Sequence, residues 1–322
     1  MRCRSLLPAL LFVSLLVPSA SGQLLDKSVL NSTVWVTYQS EATPAEPASA
    51  NSPAKRAVPA SEFGGTGFLV FHGVGYTKGQ VYLITNKHVL PPEGKQADIR
   101  VRVAIREKDG SVRVDSVSVP VVGADGKYLD SVRVHPDPDT DVGAVNIAPA
   151  AFKAKFDLLI NAITTRKYLD MSMLMTTEKL KQTDIGPGSQ LYVVGFPAAI
   201  FDPRNVSPIL RTGIISTDPR DGFNFNEQLR RAISFPEHVD GFLIDSGVYP
   251  GSSGSLVVLG PDPTKKSDWQ PVILGIVAGS IPYYDASLRA YERIGLGIVY
   301  SADTIKTVLD SFERPLRRPA RK

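Results

Sequence analysis

From Gly64 onward the chain breaks into short β-rich runs separated by turn signals, and this rhythm restricts the possible folds more than any other feature. The runs are Gly67–Phe71, Val81–Thr85, Ile99–Ile105, Val112–Val122 and Val142–Ile147, with Asp109-Gly110 and Asp125-Gly126 among the turns. After an interruption they resume at Gln190–Gly195, Leu210–Ser216, Gly241–Ile244, Leu256–Leu259, Val272–Ala278 and Gly297–Tyr300. Many short strands joined by tight turns indicate an all-β antiparallel barrel or sandwich. An earlier β-rich run, Ser28 to Gln39, reads as a first strand, and Ala302 to Phe312 has the period of a short closing helix. No internal repeat is visible.

Between these runs the composition changes twice. Residues 41–61 are rich in Ala and Pro and poor in large apolar residues, which describes a flexible loop or linker. Ala150 to Met175 breaks the β rhythm with FDLLINAI and YLDMSMLM, read as a helical or loop insertion running to about 185. Its methionines, Met171, Met173 and Met175, are expected to pack against the body of the protein. The organisation is therefore a first β unit over about 28–149, the insertion over about 150–185, a second β unit over about 186–311 and a tail over 312–322.

The ends of the chain distort its charge. Arg2 and Arg4 at the start, and five basic residues against Glu313 in the last eleven, account for more than the whole formal charge of +4. The body is close to neutral, which argues against a nucleic-acid partner. Residues 1–22 read as a secretory signal peptide: a basic start, an apolar run from Leu6 to Val17, and small residues Ser19 to Gly22 ahead of Gln23. That run is short for a retained membrane span, which needs about 18 apolar residues, so no stable membrane anchor is expected. The only cysteine, Cys3, lies within this leader. The mature chain would have neither thiol nor disulfide, which suits a bacterial periplasm or exterior. The basic tail reads as a solvated end.

One stretch carries chemistry. Pro250-Gly251-Ser252-Ser253-Gly254-Ser255 runs directly into the apolar Leu256-Val257-Val258-Leu259. Glycines beside a serine allow a sharp turn that brings backbone N–H groups close to a substrate oxygen. A serine hydroxyl needs a base to take its proton, and that base needs an orienting acid. Of the four histidines, His88 alone follows a buried-looking strand and sits in a polar turn, Thr85-Asn86-Lys87-His88. His72, His135 and His238 lack that framing. The acids are Asp137, Asp139 and Asp141. Their alternation suggests a calcium loop, but the sixth and twelfth positions are Val142 and Ala148, where such a loop needs Gly and Glu. Asp141 stands apart because it opens the strand Val142–Ile147, while the other two are expected to face solvent.

With these residues in order, the sequence resembles a trypsin-like serine peptidase of the disulfide-free bacterial type, near glutamyl-endopeptidases and HtrA-like proteases. The order His88, Asp141, Ser253 is that of chymotrypsin-type enzymes. Gly65-Thr66-Gly67-Phe68, Leu191 to Pro197, Arg211 to Ser216 and Gly275-Ile276-Val277 add to the likeness, which spans roughly residues 28 to 311. The resemblance implies two six-stranded antiparallel β-barrels with the active site between them. His88 would be the base, Asp141 its orienting acid and Ser253 the nucleophile, with the amides of Gly251 and Ser253 as the oxyanion hole. It implies neither metal nor organic cofactor, and protein or peptide substrates. It also places the primary pocket at Gly247, Val248 and Tyr249 and at Ala278, Gly279 and Ser280. None of these is charged, so a small or medium apolar residue before the cut is expected, unless Asp245 or Arg289 reaches in.

Three departures from the family pattern stand out. Ser252 occupies the place of an aspartate that in animal enzymes pairs with a new N-terminus, so the oxyanion turn must be held in some other way. Ala278 replaces a serine that hydrogen-bonds the acid, which leaves Asp141 to rely on backbone donors. About ten residues follow the closing helix, too few for the PDZ domain of HtrA-like proteins. A non-catalytic binding protein on the same fold and a serine esterase are the competing readings.

Overall fold

The computed structural model describes residues 25, 27–40, 61–73, 79–106, 109, 111–147, 169–232, 235–261, 270–285 and 290–313. The leader, residues 41–60 of the Ala/Pro-rich loop, most of the insertion, Arg289 and residues 314–322 of the tail lie outside them.

Strands dominate, as the turn-punctuated rhythm requires. In the first half they are β1 (Thr33–Ser40), β2 (Ser61–Gly73), β3 (Gly79–Thr85), β4 (Ala97–Arg106), β5 (Val112–Val122), β6 (Val132–Val134) and β7 (Gly143–Asn146). They form one sheet in the order β5-β4-β1-β2-β3-β7-β6. A two-residue strand, β8 (Leu169–Asp170), adds to β2 in parallel. The expected first barrel is thus a half-barrel, since among the described residues β5 and β6 do not pair. The second half does close. Strands β9 (Gln190–Gly195), β10 (Ile209–Ile215), β13 (Gly241–Asp245), β14 (Leu256–Leu259), β15 (Ile273–Asp285) and β16 (Ala290–Ser301) form a six-stranded barrel in the order β10-β13-β16-β15-β14-β9. A small hairpin of β11 (Phe223–Asn224) and β12 (His238–Val239) stands beside it. The closing helix, Ala302–Asp310, buries Ile305, Val308 and Leu309 on one face.

Ser28–Ser32 corrects one expectation, for Lys27–Ser32 is a single helical turn and the first strand begins at Thr33. The turn drives Val29 into the same core cluster as Phe68 and Leu169, while the Thr33 hydroxyl donates to the Val29 carbonyl at 2.9 Å. Burial of Val29 outweighs the β preference of the run. In the described part of the insertion, Met171 and Met173 pack on that cluster and Met175 on the core of the closed barrel. Phe312, at the start of the tail, lies against Tyr82 with ring centroids 4.8 Å apart.

The two halves are joined by buried polar contacts as well as by apolar packing. The Tyr300 hydroxyl, on β16, donates to the Asp139 carbonyl at 3.0 Å, tying the barrel to the loop that carries Asp141. Burial pushes that hydroxyl up to about 12, and the nearby carboxylates of Asp141, Asp137 and Asp139 add to the shift. A tyrosine raised in the folded state above its ordinary value of 10.0 binds its proton more tightly there than in the unfolded chain. Its contribution is fully present below about pH 10 and is lost as the pH rises toward about 12. Tyr300→Phe is therefore expected to lower stability by about 1–2 kcal/mol near neutral pH and to remove part of the loss of stability above pH 10. Urea unfolding across that pH range checks both.

Candidate active site

The site lies where the half-barrel meets the closed barrel. Strand β3 ends at Thr85, and Asn86 leads into a turn of 3-10 helix, Lys87–Val89, that carries His88 to the surface. Val89, the next residue, is buried and anchors that turn. The His88 side chain is 52% exposed and that of Asp141 27%, so the pair is open to solvent. His88 Nδ1 is hydrogen-bonded to Asp141 Oδ2. The backbone N–H of His88 donates to the other carboxylate oxygen, Oδ1, at 2.9 Å. The same residue thus offers both its ring and its amide to the acid, and Asp141 has a backbone donor where a serine is missing. Asn86, fully buried, donates from its amide group to the Asp141 carbonyl at 2.7 Å and fixes the acid's backbone as well. An imidazole held through Nδ1 in this way presents Nε2 to solvent as the basic nitrogen.

Asp137 and Asp139 are exposed and shape the loop before Asp141. Asp137 accepts from the Asp139 amide at 3.1 Å and from the Thr140 hydroxyl at 3.1 Å. Among the described residues neither is hydrogen-bonded to His88, so of the three aspartates the structure brings only Asp141 to the histidine.

The serine stretch forms a tight turn between Tyr249 and β14. Ser252 is buried. Its amide donates to the Tyr249 carbonyl at 2.9 Å, and its hydroxyl accepts from the Tyr249 amide at 3.2 Å. Ser253 is half-buried and its Oγ lies 3.5 Å from the Ala278 carbonyl. That carbonyl is free to face it because the β15–β16 register slips between Val277 and Gly279, leaving Ala278 as the unpaired residue of a bulge. Gly254 has φ of +84°, and a Cβ there would lie 1.8 Å from the Thr66 carbonyl oxygen, so only glycine fits.

The amides of this turn can be accounted for one by one. Those of Ser252, Gly254 and Ser255 donate to Tyr249, Val277 and Ser252 respectively. Among the described residues the amides of Gly251 and Ser253 have no acceptor. Because a trans peptide points its N–H opposite its C=O, the directions of these two follow. The Pro250 carbonyl accepts from the Ala198 amide at 2.6 Å, and the Ser252 carbonyl from the Ser255 amide at 2.9 Å. Each free N–H is turned away from those contacts. Ala198 and Ala199 hold left-handed backbone, with φ of 51° and 55°, a strain that residues with a Cβ adopt only where the surroundings enforce it.

Thr66 was not singled out by the chemistry of its side chain, yet it joins the two halves. Its hydroxyl donates to the Gly251 carbonyl at 2.9 Å and accepts from the Phe196 amide at 3.0 Å. Its amide donates to the Ser253 carbonyl at 2.8 Å, and its carbonyl accepts from the Thr85 hydroxyl at 2.7 Å. Beside it, a Cβ on Gly65 would lie 2.6 Å from Val89 and 3.1 Å from the Ser253 carbonyl, so the histidine turn and the serine turn converge on one glycine. Thr85 and Asn86 were likewise missed, because a buried hydrogen-bonding role has no local signal in a β-rich run.

Of the predicted pocket residues, Val248 is corrected. It is 4% exposed in the core of the closed barrel and packs over Gly297, so its side chain does not line a pocket. Gly247, Tyr249, Gly279 and Ser280 are accessible or partly so, and Ala278 contributes its carbonyl. A charged side chain also stands beside these residues. Arg211 of β10 reaches Gly247, where a Cβ would meet its Nη2 at 2.2 Å, and its guanidinium carbon lies 5.0 Å from the centre of the Tyr249 ring.

The sequence profile of the trypsin-like peptidase domain matches residues 65–261, more than half of the chain. No curated protein matches the sequence. Among solved structures the chain is similar to a mutant of Rv3671c from M. tuberculosis H37Rv in an inactive form, with 14% identity, TM-score 0.41 and coverage of 91% of this chain and 92% of that one. It is also similar to Rv3671c protease in an inactive form, with 14% identity, TM-score 0.42 and coverage of 89% and 92%. The tobacco vein mottling virus protease matches with 10% identity, TM-score 0.36 and coverage of 89% and 85%.

Thr66→Val keeps the shape of the side chain but leaves the Phe196 amide and the Gly251 carbonyl without their partner. A loss of about 2 kcal/mol or more is expected, whereas Thr66→Ser should stay within about 1 kcal/mol of the parent. Equal losses in urea unfolding would show that packing, not the hydroxyl, holds the turn.

Proposed function

Since the chain belongs to the trypsin-like peptidase family, we propose that it is a serine endopeptidase that hydrolyses peptide bonds through an acyl-enzyme. The observations that support this reading are the two hydrogen bonds from His88 to Asp141 and the approach of the histidine and serine turns to one glycine, Gly65, with the amides of Gly251 and Ser253 lacking an acceptor among the described residues. Ser253 Oγ attacks the peptide carbonyl while His88 Nε2 takes its proton. The oxygen of the tetrahedral intermediate is received by the amides of Gly251 and Ser253, and removal of one such donor typically costs about 10²–10³ in rate. His88 then returns the proton to the leaving amine, and the C–N bond breaks. Water repeats the sequence on the ester, with the same histidine as base, and frees Ser253 and the acid product. Asp141 holds the imidazole in the required tautomer and stabilises its cation. We propose further that residues 1–22 direct export to a bacterial periplasm or exterior and are removed near Gln23.

One observation favours a second reading. Ser253 Oγ faces the Ala278 carbonyl, and no hydrogen bond joins it to His88. A non-catalytic protein on this fold would have that geometry, although catalytic hydrogen bonds often tighten only on substrate binding. A fluorophosphonate probe separates the two: labelling of the wild type and none of Ser253→Ala supports the enzyme, while an unlabelled wild type supports the binding protein. Digestion of casein then separates a peptidase from an esterase.

Ser253→Ala is expected to abolish activity with little change in melting temperature, since its hydroxyl is half-exposed, whereas Ser252→Ala should act chiefly on stability. Asp141→Asn should lower kcat by about 10⁴, the effect known for the corresponding change in a serine protease. Asp137→Asn and Asp139→Asn should have small effects on kcat, and steady-state kinetics on the three aspartate variants ranks them. Export is checked by intact mass: exported protein should begin near Gln23 and lack Cys3.

A further inference from the structure

We propose that Arg211 forms the charged floor of the substrate pocket and that the protein cleaves after acidic residues, Glu or Asp. The inference rests on Ser253 being the nucleophile and adds the substrate class to that reading.

Placement of the arginine follows from the strand. Along β10, Arg211, Gly213 and Ile215 share one face by the two-residue period, and Ile215 is fully buried in the closed-barrel core. Arg211 is therefore directed to the mouth of the barrel on its inner side. Gly213 lets the chain after β13 cross that face closely, for a Cβ there would lie 2.7 Å from that of Ser246. One residue later Gly247 has no side chain, and the guanidinium takes the space, 2.2 Å from where a Cβ would stand. Tyr249 supplies the ring beneath the cation, at 5.0 Å, and is hydrogen-bonded in both directions to Ser252, the neighbour of the nucleophile. The cation thus sits on the residues that lead directly into the serine turn.

Nothing described in the protein neutralises it. Among the described residues no carboxylate lies within ion-pair distance of Arg211 and no acceptor takes its N–H groups. Asp245, nearby in sequence, has its carboxylate toward Gly295, 3.8 Å from where a Cβ would stand there. A guanidinium offers five donors in a planar fork matched to a carboxylate. Half-buried and stacked on a ring, it favours an anion and repels a Lys or Arg side chain. A substrate carboxylate would complete it with two charge-assisted hydrogen bonds. An apolar side chain before the cut would cover the cation without satisfying it.

The test uses peptides that differ only in the residue before the scissile bond, Glu, Asp, Gln, Leu or Lys, with active protein counted by fluorophosphonate titration. Wild type should favour Glu over Gln by about 10²-fold or more in kcat/KM, as sites built around a buried polar contact do. Arg211→Gln should erase that preference, Arg211→Lys should retain part of it, and Arg211→Glu should shift it toward Lys. Preference for Leu or Lys in labelled wild type, unchanged in Arg211→Gln, overturns the pocket assignment and leaves the peptidase reading intact. A wild type that does not label overturns both. Should Arg211→Gln fail to fold, the wild-type panel and Arg211→Lys still decide the matter.

Discussion

The arrangement depends on one threonine. Thr66 lies on β2 of the half-barrel, yet its hydroxyl and amide hold three groups of the closed barrel: the Gly251 carbonyl, the Phe196 amide and the Ser253 carbonyl. Thr66 and Phe196 are fully buried, so loss of the bond between them would leave an unpaired buried amide, at about 1–3 kcal/mol. The contact sets the position of the serine turn relative to the strand that leads to His88, since Thr66 also accepts from Thr85 at the end of β3. Glycines at 65 and 254 permit it. A Cβ at either would strike its partners before the threonine could close. A single residue therefore sets where the serine turn stands relative to the histidine turn.

Around that contact, the serine turn leaves two amides without an acceptor among the described residues. Every other amide from Ser252 to Ser255 has an acceptor, and the carbonyls on the far side of the two free N–H groups are held by Ala198 and Ser255. In the proposed mechanism, donors fixed before substrate arrives need no reorganisation when charge develops. The strained backbone at Ala198 and Ala199 supports the same turn, because the Ala198 amide holds the Pro250 carbonyl. No acid at position 252 is needed for this. Ser252 locks to Tyr249 by its own amide and hydroxyl, a neutral replacement for an ion pair.

The fold was legible wherever a run alternates between tight turns. Val112–Val122, Gln190–Gly195 and Leu256–Leu259 fall on strands with those bounds. It was not legible where two residues suffice for a strand, as in Leu169–Asp170 and Phe223–Asn224, or where a buried side chain overrules propensity, as Val29 does in the opening turn. The half-barrel also differs from a closed barrel in a property no local pattern reports, the pairing of β5 with β6. At the candidate site, the serine beside a glycine, the histidine after a strand and the aspartate before one stand out in the sequence because each sits at an element boundary with its own signature. Asn86, Thr85 and Thr66 could not, since their partners are 55, 19 and 185 residues away.

The pocket illustrates a deeper limit. Gly247 reads in sequence as an empty, uncharged floor, and its neighbours in the chain carry no charge either. In the folded chain that glycine is small for the opposite reason: it makes room for the guanidinium of Arg211, which comes from another strand 36 positions earlier, and any side chain at 247 would expel it. Residues near Ser253 in the sequence do not disclose this cation, because it enters across the barrel, by a register between β10 and the chain after β13 that only the closed sheet defines. The vacancy and the charge are two halves of one feature, so the character of the pocket cannot be assigned from either residue alone.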